Sequence, residues 1–101
     1  MEYINRFRLK PNKAEEFRQW LLDNHDKLVA TMPEGWTYLG TYFTLRGFGE
    51  YHCESRWELT GYRALANPFR DPIHSEVNEL FSDPSYPEEV TLLRKLLPKS
   101  A

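Results

Sequence analysis

The chain of 101 residues contains one cysteine, Cys53, so it can form no internal disulfide and no cysteine-based metal cluster, as suits a reducing compartment. Its apolar runs are a few residues long, far short of the roughly 20 needed to cross a bilayer. The residues after Met1 lack the positive-then-apolar pattern of an export signal. A cytoplasmic protein with no membrane partner is therefore expected. Charge of one sign is never concentrated: 13 Lys and Arg stand against 15 Asp and Glu, a formal net charge of −2, with the signs mixed along the chain. No block can neutralise a run of phosphates, so nucleic acid is not an expected partner. His25, His52 and His74 are too scattered for a metal motif. There is no GxGxxG, P-loop or GxSxG pattern, and Gly47-Phe48-Gly49 joins two strands without opening a helix. Neither a metal nor another cofactor is expected.

What the chain does have is enough apolar residue for one core. Hydrophobic residues make up 41% and charged residues 28%, a balance that offsets chain entropy without low-complexity tracts. The length suits a single domain spanning 1–101. Aromatics reach 15%, and such rings fill cores, line pockets or seal interfaces.

Tyr3 to Lys10 alternates with period two, placing Tyr3, Asn5, Phe7 and Leu9 on one side and Ile4, Arg6, Arg8 and Lys10 on the other, as in a strand. Pro11 stops it. Asn12 with Glu15 three residues later reads as a capping box for a helix. In that helix Ala14, Phe17, Trp20, Leu21, Leu28 and Met32 form one apolar face for packing on a sheet, until Pro33 and Gly35 end it. Trp36 to Leu45 and Glu50 to Thr60 form a predicted hairpin around Arg46-Gly47-Phe48-Gly49. Gly61 to Phe81 is helical but interrupted by Pro68 and Pro72, with Asp71 able to cap the second piece. Glu88 to Leu97 suits a strand or a short helix. The strand is preferred because a βαββα order leaves one place in the sheet.

The predicted class is thus α+β, a ferredoxin-like βαββαβ unit with a four-stranded antiparallel sheet and helices on one face. This order over nearly the whole chain resembles the dimeric α/β-barrel superfamily. The join Arg8-Leu9-Lys10-Pro11-Asn12-Lys13 before Glu15, Glu16 and Phe17, together with Arg56-Trp57-Glu58, looks like the antibiotic-biosynthesis-monooxygenase type. The resemblance implies a homodimer with facing sheets and a small hydrophobic or aromatic ligand held between sheet and helices. It also implies cofactor-independent monooxygenase or isomerase chemistry, although many members have no known activity and a fold does not name a reaction. Haem-degrading members rely on an Asn on the first strand and a Trp and a His on the second helix. Asn5, followed by Arg6, is similar to the first, and His74 lies near the helical position. Where the Trp belongs the chain has Leu65 or Ala66, and Trp57 sits on a strand. Haem binding or degradation is a minor alternative.

Two uses of the third strand compete. Its apolar row is Tyr51, Cys53, Ser55, Trp57 and Leu59, and its polar row is His52, Glu54, Arg56 and Glu58. With the first strand as neighbour, Arg6 and Arg8 are expected to meet Glu54 and Glu58 across the ladder, as a salt-bridged interface or a wet face. Alternatively, His52 or Glu54 is a general base in a pocket where an Arg holds an anion and Tyr38 and Tyr42 supply hydroxyls. The candidate catalytic residues are His52, Glu54 and His74, and the candidate ligand-binding residues are Asn5, Arg6, Tyr38, Tyr42 and Trp57. A cavity lined by Asn5, Tyr38, Trp57 and His74 would favour a ligand-binding protein, whereas a filled core would favour a non-catalytic dimeric module.

Overall fold

The computed structural model describes residues 1–45, 47, 51–67 and 73–96. Strand β1 (Glu2–Phe7) leads to helix α1 (Ala14–Ala30). Strands β2 (Trp36–Phe43) and β3 (Cys53–Leu59) follow, then a short 3-10 helix (Tyr62–Ala66), helix α2 (Ile73–Phe81) and strand β4 (Glu89–Leu93). The strands form one antiparallel sheet in the order β2-β3-β1-β4. This α+β arrangement is compatible with a ferredoxin-like fold. The expected turn at Arg46, Phe48 and Gly49 and the expected break at Pro68, Asp71 and Pro72 lie outside the described residues.

The alternation of β1 sets the layering. Tyr3, Asn5 and Phe7 oppose Trp57, Ser55 and Cys53, so the two apolar rows share a face, and α1 and α2 pack over it. Phe17 and Leu28 are the buried residues of α1. Two core clusters result: Phe7, Leu9, Phe17, Cys53 and Phe81 at one end, and Trp36, Leu59 and Ala64 at the other. Burial pushes the Cys53 thiol up to about 12, which leaves it protonated and inert as a nucleophile at neutral pH. Gly35, at φ +88°, turns the chain into β2; a Cβ there would lie 2.9 Å from the Ala64 Cβ and the Thr60 hydroxyl.

Two local expectations need correction. The capping box does not form: α1 starts after Lys13 with no side-chain cap, because Asn12 takes a left-handed conformation, φ +60°, where an N-cap needs an extended one. Strand β1 ends at Phe7 and does not reach Lys10. Residues 8–10 leave β3 and bind the end of α2 instead, with the Lys10 N–H donating to the Phe81 carbonyl at 2.8 Å and the Asp83 N–H donating to the Arg8 carbonyl at 2.8 Å. Glu88 to Leu97 resolves toward strand, since Glu89–Leu93 pairs with β1.

The sheet face away from the helices carries a chain of ion pairs. Arg6 Nε donates to Glu54 at 2.9 Å and Arg6 Nη1 to Glu89 at 3.2 Å, while Arg56 donates to Glu54 at 2.6 Å and to Glu2 at 3.4 Å. The Arg6–Glu54 pairing matches the expectation. The one for Arg8 and Glu58 does not hold: Arg8 stacks over Tyr86, 4.2 Å from the ring centroid, and Glu58 takes the N-terminal ammonium at 2.8 Å. The antiparallel register sets Glu58 opposite Glu2, at the other end of β1 from Arg8.

Glu54 is only 17% exposed and holds both guanidinium groups. Its replacement in Glu54→Ala is expected to cost about 1–2 kcal/mol, between an exposed pair at roughly 1 kcal/mol or less and a buried one at about 3–5 kcal/mol. Urea denaturation should show this loss, a milder effect for His52→Ala, and a Glu54→Ala/Arg56→Ala double variant that loses less than the sum of its parts. Unchanged or raised stability in Glu54→Ala would refute a structural role for the network.

Candidate functional site

A cavity of about 210 Å³ lies between the two core clusters, with the sheet as floor and α1, Met32 and α2 as roof. Phe7, Phe17, Leu21 and Val77 wall it from the first cluster, and Tyr3, Met32 and Trp57 from the second. The space exists because small polar side chains, Asn5, Thr41 and Ser55, occupy the middle of the floor where large apolar ones would meet the helices.

The floor depends on a β-bulge. Tyr38 pairs with Trp57 and Gly40 with Arg56, which leaves Leu39 as the extra residue of β2. Gly40, at φ +145°, accommodates the bulge. Residues three apart normally face opposite ways on a strand, but across the bulge Tyr38 and Thr41 share the cavity face. The Tyr38 hydroxyl is hydrogen-bonded to Thr41 Oγ1, which lies 2.8 Å from Ser55 Oγ. A chain of hydroxyls from three side chains thus crosses the floor. Because each hydroxyl both donates and accepts, the chain can run in either sense and offer a donor at either end.

Asn5 completes the wall on β1. Its Nδ2 donates to the Glu88 carboxylate at 3.0 Å, and its Oδ1 is buried without a hydrogen-bond partner among the described residues. On the roof, His74 Nε2 lies 3.4 Å from Thr31 Oγ1, whose hydroxyl donates to the Leu28 carbonyl at 3.2 Å. The imidazole therefore links the start of α2 to the end of α1. Among the described residues the lining includes no Asp, Glu, Lys or Arg. Nor do the described residues contain a group of three or more His, Cys, Asp or Glu placed to hold a metal ion.

The structure divides the candidates predicted from sequence. Asn5, Tyr38, Trp57 and His74 line this one cavity. Arg6, Glu54 and Tyr42 are on the opposite face of the sheet, Tyr42 against Arg56 with 5.3 Å between guanidinium carbon and ring centroid. A strict alternation puts Tyr38 and Tyr42 on one side, and the extra residue Leu39 separates them. His52 is in neither place. It lies beside Leu9 and Thr44, in a shallow depression with Arg8, Lys10 and Lys13. Leu65 and Ala66, at the position of the haem-degrading Trp, carry no indole and lie exposed on the 3-10 helix, outside the cavity lining. Sequence reasoning missed Thr41, the partner that joins Tyr38 to Ser55. The available signals were Gly40 inside an aromatic strand, which marks a bulge, and Ser55 in an otherwise apolar row.

Burial raises the Tyr38 pKa above the ordinary 10.0, with Thr41 lowering it in part and Tyr42 adding to the rise. Burial and then the Glu88 charge raise that of Tyr3. Both rings are neutral donors at pH 7. A folded-state value above the unfolded one contributes stability that is complete below about pH 10 and is lost as pH rises through the folded value. An alkaline titration followed by phenolate absorbance should therefore show a component that ionises later than free tyrosine. Tyr38→Phe should remove part of it and soften the alkaline loss of stability. A late component left whole by Tyr38→Phe would show that this hydroxyl is not shielded.

No protein-family model matches the chain and no curated protein is significantly similar to it.

Proposed function

We propose that the chain is a homodimeric, ferredoxin-like small-molecule-binding protein whose cavity takes a neutral molecule of one or two aromatic rings. The observation that carries this reading is an open space with uncharged walls in the centre of the core, crossed by the Tyr38–Thr41–Ser55 hydroxyl chain. Rings on the walls favour a flat apolar ligand, and hydroxyls along the floor favour one with an oxygen or nitrogen to bond. With no Lys or Arg among the described lining residues, an anion would find only the His74 imidazole to meet it, which favours a neutral ligand. A non-catalytic module whose aromatics serve packing alone would have filled this volume, since voids in cores cost stability.

Size narrows the class. A cavity of about 150 Å³ holds benzene, so 210 Å³ suits one or two rings. By the same scale a tetrapyrrole needs on the order of 600 Å³, which favours the small aromatic over haem. The chemistry within reach is proton movement. An imidazole titrates near neutral pH, and the hydroxyl chain can stabilise the oxygen of an enol or phenolate by donation. Removing a proton from a C–H or O–H beside an aromatic ring begins both the isomerase and the cofactor-independent monooxygenase reactions implied by the resemblance. In this reading His74 is the base, and the hydroxyl at the free end of the chain, Tyr38 or Ser55 according to its sense, is the donor.

The test uses 1-naphthol as probe. Titration followed by tryptophan fluorescence, with Trp57 in the wall, should give a dissociation constant on the order of micromolar, within the reach of a buried two-ring ligand. Val77→Trp, which fills the roof, should weaken binding at least about ten-fold while the urea midpoint shows the protein still folded. No binding up to millimolar concentration, or equal binding by the filled variant, would reject the cavity as the site.

A further inference from the structure

The two edges of the sheet are built differently. Strand β2 is interrupted by the bulge at Leu39, a device that blunts an edge against further pairing. Strand β4, Glu89–Leu93, is the other edge and has neither bulge nor proline. Its outer side presents backbone N–H and C=O groups without a neighbouring strand among the described residues. Val90, Leu92 and Leu93 are 50%, 39% and 47% exposed, so both faces of the strand offer apolar surface at the edge.

Charge selects the occupant. Glu88 stands before the strand and Arg94 and Lys95 follow its end, while Glu89 is already paired with Arg6. A parallel copy would set like charges together, whereas an antiparallel copy sets opposite charges together at both ends. The open face of the sheet is a poorer surface for a second copy. Arg6, Arg56, Glu54, Glu2 and Glu89 already pair among themselves there, and burying satisfied ion pairs costs desolvation.

We propose that the homodimer forms by antiparallel pairing of β4 with the partner subunit's β4, which continues the sheet across a two-fold axis at Thr91. In this register Val90 lies opposite the partner's Leu92, and Glu88 opposite the partner's Arg94, as same-face neighbours of an antiparallel ladder. The interface is isologous, so every pair occurs twice. This inference rests on the homodimer proposed above and names its contact. It departs from the facing sheets of the superfamily the chain resembles, because here that face carries ion pairs whose burial would cost desolvation.

Sedimentation equilibrium of the full chain tests it. The wild type should run at twice 12.0 kDa, with a dissociation constant on the order of micromolar for so small an interface. Arg94→Glu should weaken the dimer about ten-fold or more, since each exchanged charge faces a like charge at two symmetric places. Glu88→Arg should do the same, with circular dichroism confirming the fold of both variants. Mixing the two variants restores both opposite-sign contacts and should bring association back to within about three-fold of wild type. A wild-type monomer would overturn the homodimer and its interface together. A wild-type dimer indifferent to Arg94→Glu, or variants that fail to associate when mixed, would overturn the β4 contact and leave the homodimer standing.

Discussion

The pairing of β1 with β3, in the register that sets Asn5 opposite Ser55 and Arg6 opposite Glu54, is the constraint on which the other features depend. Both strands carry a row of apolar and small polar residues and a row with the charged ones, where β1 has the buried Ile4 between Glu2 and Arg6, and this pairing puts like rows together. A slip of one residue would turn Glu54 and Arg56 under the helices and Cys53 and Trp57 out to solvent. The Arg6–Glu54 ion pair at 2.9 Å and the Phe7–Phe17 edge contact at 5.8 Å therefore support the same register from opposite faces of the sheet.

The cavity is a consequence of that register and of a compromise in packing. The two core clusters are each close-packed around aromatic rings: Phe7, Phe17 and Phe81 in one, Tyr3, Trp36 and Trp57 in the other. Between them the floor residues are too small to reach the roof. An unfilled volume and a buried Asn5 oxygen without a partner among the described residues both lower stability, and a core selected only for stability would carry neither. Their coincidence at one place, together with hydroxyls linked in a chain, is the physical ground for reading the gap as a site.

Much of the fold was legible because its signals are local. Period-two alternation in Tyr3 to Phe7, the apolar face through Phe17 and Leu28, and the paired aromatic strands each depend on a few neighbouring residues, and the structure has strands and a helix there. Expectations that needed a conformation rather than a pattern failed. Asn12 and Glu15 have the spacing of a capping box, yet the left-handed backbone at Asn12 precludes it. Arg8 belongs to the alternation of the first strand, yet the strand ends before it, and the side chain stacks on Tyr86 instead.

By itself the sequence determined the α+β class, the presence of the first three strands and of the helical regions, and most of the division of β1 and β3 into apolar and charged rows, since these follow from residue type and periodicity. Tertiary structure decided which candidates meet. Asn5, Tyr38, Trp57 and His74 come from four separate segments and converge only when the sheet and helices pack. One extra residue, Leu39, sends Tyr38 into the cavity and Tyr42 to the opposite face. A bulge is a property of two paired strands, so Gly40 can hint at one, but which residue is extra, and with it the choice of face that made the site, is decided only by the pairing with β3.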